Sequence, residues 1–77
     1  MLLVDVINVT PSGWEIIDFR GSDGFAAISK GNYIFEFERG MWRCTLNKVQ
    51  FTATTPSELI TSLTYHLHNM LRELNNE

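Results

Sequence analysis

The sequence predicts an α+β fold, an antiparallel meander sheet of five to six strands packed on one C-terminal amphipathic helix. Two observations predict it. Between residues 2 and 54, short β-branched and aromatic runs alternate with turn residues at a nearly regular beat. From residue 56 to 74 the apolar spacing changes to steps of three and four, the period of a helix. At 77 residues the chain is read as a single domain, 1–77, close to the lower size limit for a hydrophobic core that must hold itself together. Support from a second copy, a homodimer, is therefore an expectation.

The first strand is expected over residues 2–9, LLVDVINV. This stretch has no basic flank, is interrupted by Asp5 and is too short to cross a bilayer, so it reads neither as a leader nor as a membrane span. Strands follow at 14–20 (WEIIDFR), 24–30 (GFAAISK), 33–39 (YIFEFER), 41–47 (MWRCTLN) and 49–54 (VQFTAT). Between them stand Pro11-Ser12-Gly13, Gly21 to Gly24, Gly31-Asn32, Gly40 and Asn47-Lys48, residues suited to positive φ or to side-chain-supported turns. In YIFEFER, alternation places Tyr33, Phe35 and Phe37 on one face and Ile34, Glu36 and Glu38 on the other. Together with Trp14 and Trp42, these aromatics form either a core wall or a stacking platform.

The helix start is the sharpest local signal. Thr55-Pro56-Ser57-Glu58 fits a capping box with proline at the first helical position, Thr55 accepting from the Glu58 amide and Glu58 reaching back to that of Thr55. Beyond it, Ile60, Leu63, Leu67, Met70 and Leu74 form the apolar stripe, widened by Leu59 and Leu71. A helix over 56–74 would be roughly 28 Å long, enough to cross about five strands.

Composition narrows the function classes. The chain is 44% hydrophobic and 19% charged, with nine acids against six bases and a formal charge of −3. That balance lacks the concentrated Lys and Arg that duplex nucleic acid or an anionic membrane requires. Cys44 is the only cysteine, so an intramolecular disulfide framework is excluded and a reducing cytoplasm is the expected location.

No motif commits the chain to a chemistry. His66 and His68 are two apart, so a helix turns them about 200° away from each other, and they cannot share a metal. A half-buried His66 and an exposed His68 are expected. Cys44 lies mid-strand between Arg43 and Thr45, with no helix terminus to depress its pKa, and reads as an inert buried thiol. Glu36 and Glu38 are roughly 7 Å apart on one strand face. They read as a solvated face on which Arg43, Arg39 or Lys30 can pair with them. No catalytic residue, cofactor or metal is assigned, and the chain is expected not to be an enzyme.

A second helical row remains. Thr61, Tyr65, His68 and Arg72 step by four, three and four on the side away from the core. Tyr and Arg are enriched among residues that dominate binding energy. The row is therefore the expected partner-binding face of a small adaptor or inhibitor. Compact acidic domains of this type are often accessory proteins of bacteriophages or mobile elements, which is the expected origin. At the level of topology, a sheet followed by one C-terminal helix is similar to the single-stranded nucleic-acid binders of the Whirly, PUR-repeat and transcriptional positive-cofactor type. That resemblance implies the alternative: a sheet-plus-helix dimer stacking bases on Trp14, Tyr33, Phe35, Phe37 or Trp42. Fold analogy does not by itself establish function.

Overall fold

The computed structural model describes residues 1–75, with side chains through His68. A short helix α1 (Leu3–Val9) precedes five strands, β1 (Glu15–Arg20), β2 (Phe25–Lys30), β3 (Tyr33–Glu38), β4 (Met41–Leu46) and β5 (Val49–Ala53), and a long helix α2 (Pro56–Asn75) closes the chain. The strands pair in sequence order, all antiparallel, as an open five-stranded meander. The α+β architecture expected from the sequence is the one observed. Ile17 makes a bulge in β1, because the register with β2 shifts between Ile16 and Asp18.

Turn chemistry fixes the register. Arg39-Gly40 and Asn47-Lys48 are two-residue loops whose central residues all have positive φ, the condition for the type I′ turn that suits the sheet's twist. Lys48 holds φ 69° without glycine's freedom. A side chain in the left-handed region costs about 1–2 kcal/mol. Glycine there would lose about 0.5–1 kcal/mol through the entropy of the unfolded chain. Strain relief wins, so Lys48→Gly should stabilise by roughly 0.5–1 kcal/mol. Urea unfolding should show a higher midpoint at unchanged slope, and a lower midpoint would refute the turn assignment.

One face of the sheet carries the core. Ile28, Phe35, Trp42 and Cys44 project from it to meet Leu59 and Leu63 of α2 and Val6 of α1 in one buried cluster. Both helices thus share a face. α2 packs on β4 and β5, while α1 lies where Val6 and Val9 border Phe37 and Trp42. The opposite face is mostly polar, with Ile34 and Met41 exposed on it. There Glu36 stands opposite Arg43 in register, Arg43 pairs diagonally with Glu38 at 2.8 Å, and Arg39 reaches Glu38 at 3.9 Å. Half-exposed pairs of this kind contribute at most about 1 kcal/mol. Glu36 and Glu38 therefore lie on a solvated face, as expected, but both arginines pair with Glu38 and none with Glu36, while Lys30 falls on the other face, opposite Tyr33.

The expected strand at 2–9 is instead helical. Leu3–Val9 forms two turns, and its end is fixed by Thr10, whose hydroxyl and amide both donate to the Val6 carbonyl at 2.6 and 3.0 Å. At the front, the Met1 amino group donates to the Gly21 carbonyl at 3.2 Å. A seven-residue helix rich in valine has little intrinsic stability. It persists because burial of Val6 (3% exposed) seals the end of the core that α2 does not cover. Tertiary packing here overrides a β-branched composition.

At α2 the capping box is half formed. The Glu58 amide donates to Thr55 Oγ1 at 3.2 Å, as expected. The Glu58 carboxylate, however, accepts from the Thr54 hydroxyl at 2.8 Å instead of turning to the Thr55 amide. Pro56 sits at the first helical position and is buried. Leu59 and Leu63 are buried, and Ile60 and Leu67 are half-buried, which places the apolar stripe on the sheet. Met70, Leu71 and Leu74 lie outside the described side chains.

Candidate functional site

Three features meet on one flank of the molecule, where α2 runs beside the start of β3. The first is the outer row of α2. Thr61, Tyr65 and His68 are exposed, Tyr65 by 70%, and with Ile60 and Thr64 they frame a shallow depression. The Thr61 hydroxyl donates to the Ser57 carbonyl at 3.1 Å, so it is engaged by its own helix. Arg72 lies outside the described side chains. His66 is half-buried, edge-on to Phe51 with ring centroids 5.0 Å apart, and His68 is exposed.

The second feature is an apolar cavity of about 160 Å³ beneath that row, walled by Trp14, Tyr33, Ile60, Leu63, Thr64 and Leu67 with Phe35 at its floor. Trp14 lies against Phe35 at a centroid distance of 4.3 Å. The aromatics grouped in the sequence analysis divide here. Phe35 and Trp42 are buried in the core at 1% and 3% exposure, and Phe37 packs on Trp42 at 5.2 Å, half-buried. Of the five, Trp14, Tyr33 and the buried Phe35 line this opening, and Phe37 and Trp42 do not. An apolar cavity of about 150 Å³ holds a benzene-sized group, so this one suits a single aromatic or branched aliphatic side chain.

The third feature is a slot in the sheet. The β3–β4 ladder holds only three pairs next to the Arg39-Gly40 turn and ends at Glu36 and Arg43. Beyond it the two strands diverge, and the opening, 1060 Å³ including its mouth, is lined by Ile34 on one side, Thr45 on the other, and Trp14, Lys30 and Leu46 toward the helices. Cys44 also borders it. Burial pushes the Cys44 thiol pKa up, and its sulfur makes only a long contact with the Thr45 carbonyl, at 3.9 Å. A thiol held protonated is a poor nucleophile.

The cavity shares Ile60 and Thr64 with the depression under Tyr65, and Trp14, Tyr33 and Ile60 with the slot. Two sets of residues distant in sequence, the aromatics of the first strands and the outer row of the helix, thus become neighbours. Ile60, Thr64 and Leu67 join them and were assigned to no site by sequence. Their spacing of four and three marks the boundary between the apolar and polar stripes, a signal that was available. The slot had no such signal, because alternation reveals which face a residue takes but not where a ladder stops.

Among the described residues, no group of three or more His, Cys, Asp and Glu side chains is placed to hold a metal ion, and no side-chain nitrogen or oxygen is buried without a partner. No helix among them is long and apolar enough to cross a membrane. What the flank offers chemically is apolar contact, ring faces and backbone edges. No family model, no curated protein and no solved structure matches the chain.

Proposed function

We propose that the chain is a small non-enzymatic protein-binding module, an adaptor or inhibitor, that seats a side chain of its partner in the cavity between α2 and the sheet. The observation that carries this reading is the cavity itself, open beside Tyr65 and walled by Trp14 and Tyr33. A desolvated pocket rimmed by aromatic and polar groups is the usual setting of the few contacts that dominate binding energy. Thr61, Tyr65 and His68 line the adjoining depression, which shares Ile60 and Thr64 with the cavity. The reading includes a reducing, cytoplasmic location, compatible with the single buried thiol, and an origin in a bacteriophage or mobile element. Homodimerisation through this face is its self-association form.

Purification of the full chain from its native host, followed by mass spectrometry, supplies the partner for the test. With that partner, Tyr65→Ala is expected to weaken binding by about 10-fold or more, in the range of an interface anchor, while leaving the thermal midpoint unchanged. Unchanged affinity would leave the row a solvated face. The alternative, a single-stranded nucleic-acid binder, is favoured by one observation: the Lys30 ammonium lies beside the opening that Trp14 and Tyr33 line. It requires that oligonucleotides quench Trp14 fluorescence at low salt and that added salt reverses this. Absence of quenching at low salt removes it.

A further inference from the structure

We propose that the slot between β3 and β4 is an acceptor site for an extended peptide, which enters as an additional strand between them. This rests on the protein-binding reading and specifies the partner's chemistry. The argument begins with the two-residue turn at Arg39-Gly40. It makes Glu38 and Met41 the hydrogen-bonded pair that closes the hairpin. Peptide groups alternate sides along a strand, so those of Glu36 and Ile34 point the same way as Glu38's, toward β4. Those of Arg43 and Thr45 point toward β3.

Independent turns confirm the phase. Lys30 and Tyr33 flank the Gly31-Asn32 turn and Leu46 and Val49 flank Asn47-Lys48, so Tyr33 and Phe35 bond toward β2, and Cys44 and Leu46 toward β5. Ile34 and Thr45 are left as the residues whose N–H and C=O groups face the divergence. They have no ladder partner there, because pairing stops at Glu36 and Arg43. Ile34 and Thr45 are exposed, so water meets these groups in the free chain, and they present the unpaired strand edges on which another strand can pair. The ligand that satisfies donors and acceptors on two facing strand edges at once is another strand.

Charge narrows the ligand. Lys30 and Glu36 both line the slot and neither belongs to an ion pair among the described residues. They lie on opposite faces of the sheet, Lys30 with Tyr33 on the helix side and Glu36 with Arg43 on the open side. Alternate residues of an inserted strand also face opposite sides. The matching peptide therefore directs an acidic side chain toward Lys30, an apolar one toward Leu46 and Ile60, and a neutral or basic one outward past Glu36.

The test uses the full chain and a library of random linear peptides displayed on phage. Enriched sequences should carry an acidic residue in alternation with apolar ones. A synthetic peptide of the enriched sequence should move the amide resonances of Ile34 and Thr45 most. N-methylation of its central amides, which removes donors but keeps the side chains, should weaken binding at least 10-fold. Thr45→Pro, which deletes a slot-facing N–H, should do the same, whereas Thr45→Val should not. The N-methylated peptides keep the test decisive if the proline variant fails to fold. The slot is refuted if no peptide is enriched, if N-methylation has no effect, or if the Ile34 and Thr45 resonances broaden with protein concentration alone, which would make a second copy the occupant. Peptides that shift Tyr65 and His68 instead would refute the slot while leaving the protein-binding reading intact. A failed peptide screen beside a partner sensitive to Tyr65→Ala separates the two in the same way.

Discussion

Replacing Phe35 by alanine is expected to cost about 3–5 kcal/mol, the range for deleting a buried aromatic ring. The ring is 1% exposed, lies against Trp14 and belongs to the cluster that joins the sheet to Leu59 and Leu63. A chain of 77 residues has a total stability of roughly 4–12 kcal/mol, so the substitution removes a large share of it. The cavity beside Phe35 would merge with the void left by the ring, and a partly relaxed void of that size is the costly case. Phe35→Leu, which keeps most of the volume, should lose less than half as much. Chemical denaturation monitored by Trp fluorescence and by far-ultraviolet circular dichroism checks both. If Phe35→Ala unfolds at the wild-type midpoint, the ring is not core, and the base-stacking use of this strand face regains its footing.

Phe35 also shows how far the sequence could be read. Alternation in YIFEFER assigned Tyr33, Phe35 and Phe37 to one face, and they share it, because a strand has only two faces and the turns on either side fix the phase. Whether that face was core or platform depended on what covered it, which is a tertiary fact. α2 was legible because its cap, proline and apolar stripe agree with one another. Helical geometry also separated His66 from His68 correctly, since a rotation of 100° per residue needs no knowledge of the rest of the fold. The outer row was legible as a row, but its neighbours were not: the approach of Trp14 and Tyr33 to Ile60 and Thr64 is set by how α2 crosses the sheet. The slot was illegible for a related reason. Phe35 and Cys44 carry strong strand residues around them, and nothing in composition marks where two strands part.

The segment 2–9 is helical where its composition predicts a strand, and the contrast between Val4 and Val6 decides between the two. In a strand, Val4 and Val6 are two apart and share a face. In a helix they are turned about 200° from each other. The structure leaves Val4 54% exposed and buries Val6 to 3%. Val6→Asp is therefore expected to cost about 3–4 kcal/mol, because an unpaired carboxylate is taken out of water or the whole of α1 is released from Phe37 and Trp42. Val4→Asp should change stability by less than about 0.5 kcal/mol. The cost at position 6 should also depend on pH. Burial raises the pKa of the new carboxyl in the folded state, so the folded protein binds the proton more tightly than the unfolded chain does. Relative to wild type, stability is then lost as pH rises from about 4, the ordinary carboxyl value, up to the raised folded value, and partly recovered below about 4. Equal penalties at the two positions would restore the strand. A large penalty at Val6 alone, smaller at pH 3 than at pH 7, would establish that a β-branched segment is helical here because the open end of the core requires it.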